Sequence, residues 1–576
     1  MSRLLIVGID SASFDLIGPW VRDGKLPNLA RYLKKGVYGD LKSVLPSMTP
    51  PAWTSFVTGR NPGKHGIFDW TCRKPGSYEL EFVNALSRKS ESIWKIMSDA
   101  GKRVCTVAVP ISYPPESING SMISGIDTPG ASGGLADPST FYPPELYEEV
   151  RKAVGPYFIS PNLFALENDQ YEAMVEAATE TVQRKMETAL YLYQKEQWDC
   201  FMVVIGETDA ISHRLWKYHD PKSPFWNGEK DSFRGEDPVL RIYRSLDEYL
   251  GKLCDVAADD TTTIMMSDHG HGGNTTKAVY LNRWLQAQKL LAFKAGAESG
   301  ACLAFLERTL SICFQWAKAA ALKYFPPNIN KKLLRKTKLV SRVESALRFS
   351  NIDWTHTKAY SEETPYFPTI WINLQGREPD GTVKPGTDYE QVRDDVVECL
   401  SRWLDPETGQ HLVRRVHKRE DLYKGPFVEQ FPDLIIEWNL DNGYSYLFKN
   451  SQQKNGCKPV GRIDEKEKSR SKSGDHRDYG ILVVFGKHVG KSKLIQGAEL
   501  IDLAPTILHL SGLPVPDDMD GRVLTQIFED DFLINHPVCF VERIAPEASF
   551  PSLQQDYSPE EEEAMRERLR GLGYIE

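Results

Sequence analysis

The sequence predicts an α/β fold: a mostly parallel sheet covered by helices on both faces and carrying a helical insertion. Three observations predict it. Short runs of β-branched and aliphatic residues recur along the chain, stretches of helical periodicity lie between them, and the runs are apolar at every position rather than at alternate ones. A strand that is apolar on both faces must be buried on both, which is the condition of a parallel sheet held between helical layers.

The elements follow in chain order. "RLLIVGI" (3–9) has the look of a signal-peptide core, but the apolar run is six residues long and stops at Asp10, too short for secretion or a membrane span, so it reads as the first buried strand. Further strands are expected at "RVCTVAV" (103–109), "DCFMVVIG" (199–206), "TTTIMMS" (261–267), "PDLIIEW" (432–438) and "YGILVVFG" (479–486). Helical spacing of apolar residues marks 171–195 and 241–257 as helices. Residues 283–350 are helical in character and contain no strand run; Lys, Glu and Arg interrupt their apolar stretches, so they read as an inserted cap or as a layer packed on the sheet. The segment "DYSPEEEEAMRERLRGLGYIE" (556–576) reads as a charged helix, solvated or docked. The expected division is a core of 1–282 and 351–545, an insertion at 283–350 and a charged tail helix at 546–576.

Composition narrows the partners. The 576 residues are 41% apolar and 26% charged, enough for a large buried core, and the net charge of −9 argues against a protein that holds nucleic-acid polymers by their backbone. A small phosphorylated substrate, gripped by local chemistry, remains the expected partner; oligomeric state is left open. The nine cysteines are odd in number, scattered and free of CxxC spacing, which suits reduced thiols and a cytoplasmic location.

Four predicted strands lie next to metal-ligand residues. Asp10 follows the first, Asp209 and His213 follow "FMVVIGE", Asp268 and His269 follow "IMMS", and His476 precedes "YGILVVFG". Ligands bind at the carboxyl ends of such strands, so these side chains are expected to converge on one rim. Asp209 and His213 are four apart and share a helix face. Asp268 and His269 are expected to reach the rim from a turn that Gly270, Gly272 and Gly273 make possible. Three carboxylates and neutral histidines around two divalent ions leave a charge of roughly +1, suited to a phosphoryl group. Thr49, directly before Pro50 and Pro51, is placed to attack phosphorus as a nucleophile, its hydroxyl activated by the metals and its pose set by prolines in the first helical turn. Amide groups at that helix N-terminus are expected to favour the anion.

Taken in order, "VGID" (7–10), "PSMTPPAWTSFVTGRNPGKHGI" (46–67), "ETDAISHRL" (207–215), "MSDHGHG" (266–272) and "GDHRDYGILVVFG" (474–486) resemble the alkaline phosphatase superfamily, in its type I phosphodiesterase and nucleotide pyrophosphatase branch. "LNRWL" (281–285), "DLAPTILHLSGLPVPDDMDGRVL" (502–524) and "LRGLGYIE" (569–576) resemble the bacterial and archaeal phosphohydrolases or phosphomutases of that superfamily. The resemblance implies one metal on Asp209, His213 and His476, a second on Asp10, Thr49, Asp268 and His269, and a phospho-threonine intermediate on Thr49. It implies two divalent ions, zinc favoured and manganese possible. It implies hydrolysis of a phosphoester, with a diester or nucleotide-type pyrophosphate favoured. Transfer to another acceptor, as in a phosphomutase, and metal-dependent binding without turnover are the alternatives.

Two departures bear on substrate. An Asn that holds a phosphate oxygen in nucleotide pyrophosphatases is missing after "HGI", where Phe68, Asp69 and Trp70 stand, and the sulfatase pattern lacks its Cys or Ser and its Arg around Thr49. Trp53, Phe68, Trp70 and His271 are the expected substrate contacts. Asp475 and Asp478 are expected to orient His476 or to sit solvated in a loop, and Lys64 and His65 to cap the helix that starts near Thr49.

Overall fold

A computed structural model describes residues 2–129, 134–161, 170–226, 233, 235–294, 349–363, 366–451, 457–542 and 557–572. Most of the expected insertion, 295–348, lies outside them, as do 546–556 and 573–576 of the expected tail. The first half of the core contributes β1 (Arg3–Ile9), β2 (Val37–Lys42), α1 (Thr49–Thr58), β3 (Val104–Val109), β4 (Gly120–Ser124) and β5 (Phe141–Tyr142). Next come α2 (Tyr171–Lys195), β6 (Cys200–Ile205), α3 (Glu207–His219), α4 (Pro238–Asp255), β7 (Thr261–Met266) and β8 (Gly270–Val279). The second half adds β9 (Ser445–Phe448), β10 (Val460–Arg462), β11 (Gly474–Arg477), β12 (Tyr479–Gly486) and α5 (Pro559–Leu572).

The central sheet has the order β2-β12-β7-β1-β6-β3-β4-β5, with two-residue strands at 493–494 and 498–499 added beside β2. From β7 to β4 the strands are parallel; β12 runs against both β7 and β2, and β5 runs against β4. It is the α/β sheet the apolar runs predict. The strand expected at 432–438 forms as Leu434–Trp438, but it pairs with Val413–Lys418 in a separate two-stranded sheet.

Burial explains why the runs do not alternate. Leu5, Val7, Phe201, Val203 and Met265 face one helical layer, built largely from α2 and α4, while Leu4, Ile6, Met202, Val204 and Ile264 face the other, where α1 packs through Trp53 and Phe56. Each such side chain contributes about 1.5–3 kcal/mol relative to exposure, so both faces are held strongly. A third cluster around Val279, Trp284, Tyr360, Leu434 and Phe448 gives the segment after β8 its own core.

Register then places the chemistry. Ile9 lies opposite Ile205, and Gly8 opposite Met266, so β1, β6 and β7 end at nearly the same level. The chain leaving them carries Asp10, Asp209 and Asp268 to one rim.

Residues 270–273 are not a turn. They begin β8, which pairs antiparallel with β11, and none of Gly270, Gly272 and Gly273 has a positive φ. Their lack of a side chain serves close approach: a Cβ on Gly270 would lie 2.2 Å from the Tyr479 carbonyl oxygen, and one on Gly272 2.6 Å from the Arg477 guanidinium. Pairing of His271 with His476 across these strands is what delivers the latter to the rim.

Candidate active site

The residues at the rim form two groups of three. Asp209, His213 and His476 make one, and Asp10, Asp268 and His269 the other, with ligand-type atoms in each group within 4.8 Å of one another. Asp209 stands in the first turn of α3 and His213 one turn on, as their spacing requires. All six are buried.

In the first group, His213 Nδ1 donates to the Gly474 carbonyl (2.9 Å) and His476 Nδ1 to the Ser47 carbonyl (2.9 Å). Those bonds assign the protons, so both Nε2 atoms present lone pairs. The two Nε2 atoms are 3.0 Å apart and lie 3.2 and 3.4 Å from Asp209 Oδ1. Lone pairs facing one another and a carboxylate repel; a cation among them turns the same geometry into coordination. The second group repeats the pattern. His269 Nδ1 donates to the Gly270 carbonyl (3.1 Å), and its Nε2 faces Asp268 at 3.2 Å and Asp10 at 3.6 Å. Asp10 Oδ1, both oxygens of Asp268 and His269 Nε2 are buried without a hydrogen-bond partner. Buried carboxylates without donors are costly, and the oxygen and nitrogen donor set fits a divalent metal ion.

The electrostatics agree. Burial, with the neighbouring Asp268 and Asp209, holds the Asp10 carboxyl well above its ordinary range, and burial pushes Asp268 up to about 8. Burial lowers His269, His476 and His271, the last to about 3, so these rings are neutral at neutral pH.

Thr49 is the first residue of α1, after Met48 at the cap position. Its Oγ is buried without a hydrogen-bond partner and lines a cavity shared with Asp10, Lys185 and Glu207. The helix offers fewer amides than expected: Pro50 and Pro51 have none, and Ala52 N–H is spent on the Met48 carbonyl (3.0 Å). In the first turn the amide left for an anion is that of Thr49.

A family model of type I phosphodiesterase / nucleotide pyrophosphatase matches residues 4–476. The chain belongs to this family. The family places it among enzymes that hydrolyse phosphoric esters, within the alkaline phosphatase superfamily. A curated phosphoglycerate mutase of the 2,3-bisphosphoglycerate-independent type, from Aeromonas salmonicida (strain A449), is 49% identical over 43 residues, 8% of each chain. Phosphonoacetate hydrolase from Sinorhizobium meliloti 1021, solved with phosphonoformate, has the same fold: its TM-score is 0.50 at 13% identity, covering 88% of this chain and 96% of that one. Human ectonucleotide pyrophosphatase / phosphodiesterase 5 aligns over 93% of this chain and 99% of its own at 13% identity, with a TM-score of 0.45.

Several expected contacts sit elsewhere in this family member. Trp53 is fully buried beneath the rim, where its indole N–H donates to Asp10 Oδ2 (3.4 Å) across Gly8, whose missing side chain leaves the indole room. Phe68 packs against Tyr423 and Phe431, and Trp70 lies in a cluster with Met48, Ile67 and the Met565 and Leu569 of α5. None of the three lines the cavity beside Thr49. His271 Nδ1 lies 3.0 Å from Ser11 Oγ and 3.4 Å from Asp209 Oδ1. Asp475 and Asp478 do not take the second N–H of His476, since the Ser47 carbonyl does; Asp475 pairs with Lys472, and Asp478 accepts from Ser47 Oγ. Nor do Lys64 and His65 cap α1. Lys64 binds the Asp518 carbonyl and Asp520, while His65 Nε2 meets Ser55 Oγ at 2.9 Å and ties α1 to the following turn.

Nothing in the chain around Asp10 marks Ser11 as part of the site. Its φ of 64° is unusual for a residue with a side chain. That backbone turns its Oγ into the gap between the two groups, where it bonds Asp209 and approaches His269 and His271. Tyr366 also went unmarked; its ring stacks on His476 and meets His213 edge to face.

Proposed function

We propose that the protein is a two-metal phosphohydrolase that acts on a phosphodiester or a nucleotide-type pyrophosphate through a phospho-threonine on Thr49. One observation carries this reading: imidazole lone pairs and three carboxylate oxygens without donors, Asp10 Oδ1 and both of Asp268, crowd together at the rim, and the unpartnered Thr49 hydroxyl shares a cavity with Asp10. Asp209, His213 and His476 would hold one ion, and Asp10, Thr49, Asp268 and His269 the other. When bound, two divalent ions neutralise charge on the phosphoryl oxygens and lower the pKa of a hydroxyl. Zinc suits the mixed nitrogen and oxygen donors, with manganese next.

The residues do the rest. Thr49 Oγ forms a bond to phosphorus as the bond to the leaving oxygen breaks, the alcohol departs with a proton, and water then cleaves the Thr49–phosphorus bond. The amide N–H of Thr49 lies at the positive end of α1 and can hold a phosphoryl oxygen. The Gly474 and Ser47 carbonyls fix the tautomers of His213 and His476, and the Trp53 indole holds Asp10. The 43-residue match to a phosphoglycerate mutase favours a second reading, in which an alcohol replaces water as acceptor. The seven described cysteines are free thiols, in keeping with a cytoplasmic enzyme. Among the described residues no helix is long and apolar enough to cross a membrane.

The test is turnover of bis(4-nitrophenyl) phosphate and 4-nitrophenyl phosphate with zinc or manganese, beside Thr49→Ala. Diester cleavage with a burst of labelled Thr49, and loss of more than about a thousandfold in the alanine variant, is the expected result. Full activity in that variant overturns the role of Thr49, and phosphate recovered on added glycerol rather than water moves the reading to a transferase.

A further inference from the structure

Beside Thr49 lies a buried ion pair that the phosphoryl chemistry does not use. Lys185 on α2 and Glu207, the first residue of α3, meet at 2.7 Å with side chains 5% and 2% exposed. Both line the cavity of about 20 Å³ that also contains Asp10, Thr49, Ile159 and Leu572.

The pair is incompletely satisfied. Glu207 Oε2 is buried without a hydrogen-bond partner, and among the described residues the Lys185 ammonium makes one hydrogen bond. Desolvating two charges costs several kcal/mol per ion and is offset only when the remaining donors and acceptors find partners. What is left over is one acceptor and two N–H donors, a few ångströms apart, opening on the cavity wall that carries the proposed nucleophile.

We propose that Lys185 and Glu207 bind a hydroxyl group on the organic arm of the substrate that stays on phosphorus while Thr49 attacks, so that the substrate is a polyol or sugar-type phosphoester. The inference rests on the phosphohydrolase reading above. A hydroxyl donates to Glu207 Oε2 and accepts from Lys185 Nζ, which a neutral pair asks for. A second anion is repelled by Glu207 and an ammonium by Lys185. A cavity of about 20 Å³ takes a group the size of a water molecule and excludes a nucleobase ring.

The experiment compares glyceryl 4-nitrophenyl phosphate with methyl 4-nitrophenyl phosphate, which share a leaving group and differ in the retained arm. Wild type is expected to favour the glyceryl ester by about tenfold or more in kcat/KM, and Glu207→Gln and Lys185→Met to bring that ratio to within about twofold of unity. Where either single variant fails to fold, the double variant Lys185→Met/Glu207→Gln removes both charges together. Calorimetry adds a readout without turnover: glycerol phosphate should bind wild type more tightly than methyl phosphate, and the variants should bind the two alike. A purely structural pair lowers both rates and leaves the ratio as it was, which overturns the proposal; so does a wild type that prefers the methyl ester. Failure of metal-loaded wild type to cleave either ester overturns the phosphohydrolase reading itself, and this proposal with it.

Discussion

Asp268 is the residue on which the charge balance of the site turns. Both its oxygens are buried without a donor, and burial pushes its carboxyl up to about 8. Asp268→Asn is expected to bind less metal and to lose more than about a hundredfold of activity while keeping its fold, checked by metal analysis and circular dichroism. In metal-free protein the sign of the stability effect follows from the shift. The folded carboxyl titrates far above the value of about 3.9 in an unfolded chain, so the folded state holds the proton after the unfolded state has released it. Stability from this group is therefore complete below about pH 4 and lost as pH rises towards 8, on the order of 1 kcal/mol per pH unit. Chelated wild type should melt progressively lower from pH 5 to pH 8, and Asp268→Asn should flatten that slope; parallel slopes would show that Asp268 is not the group responsible. Ser11, by contrast, carries no such signal in the chain, because a serine after an aspartate is common and its importance comes from a backbone angle.

At the scale of elements, α5 shows how a charged helix can still be structural. Its sequence is dominated by Glu and Arg, yet Met565, Leu569 and Leu572 are buried against Met48, Trp70, Ala210 and Tyr366, and Leu572 reaches the cavity beside Thr49. The polar residues tie it down as well. Arg568 donates to the carbonyls of Ile126, Thr128 and Pro129, Tyr557 to that of Asp127, and Arg214 to the carbonyls of Arg570 and Gly571 at the end of the helix. The periodicity predicts a helix but does not choose between solvent and docking, since the partners of its apolar stripe lie hundreds of residues away. Leu569→Ala should cost about 2–5 kcal/mol of docking free energy and raise KM more than it lowers kcat. Hydrogen exchange would report it as lost protection within 557–572 while β1, β6 and β7 remain protected; protection lost equally everywhere would mean that α5 unfolds only with the whole.

Across the whole molecule, β8 joins the rim that carries the proposed site to the third hydrophobic cluster. It begins beside His269 and His271 and ends at Val279, where that cluster starts. Midway, Lys277 is buried and bonds Asp405 (2.7 Å) and Asp441 (3.2 Å), carboxylates from the far side of the chain. Removing one partner of a buried pair strands the other. Lys277→Met should destabilise the protein by about 3–5 kcal/mol, and Asp405→Asn added to it should restore part of that loss. Thermal unfolding of the two variants checks this; an unaffected single variant would mean that the join is carried by β8 pairing with β9 and β10 alone.

The apolar runs and the ligand-type residues were legible because their signals are local. A strand buried on both faces needs apolar residues at every position, and an Asp four residues before a His on a helix needs nothing else to share a face. Helices at Tyr171–Lys195 and Pro238–Asp255 and the strands around Asp10, Asp209 and Asp268 follow from the chain alone. Other features depend on which segments meet. That Gly270, Gly272 and Gly273 belong to a strand is decided by the close approach of Tyr479 and Arg477, and that Ser47 rather than Asp475 or Asp478 orients His476 is decided by where one carbonyl points. The Lys185 and Glu207 pair and the docking of α5 are of the same kind. Their partners sit on different elements, and a contact made only when those elements pack leaves no period or spacing in the chain from which it can be read.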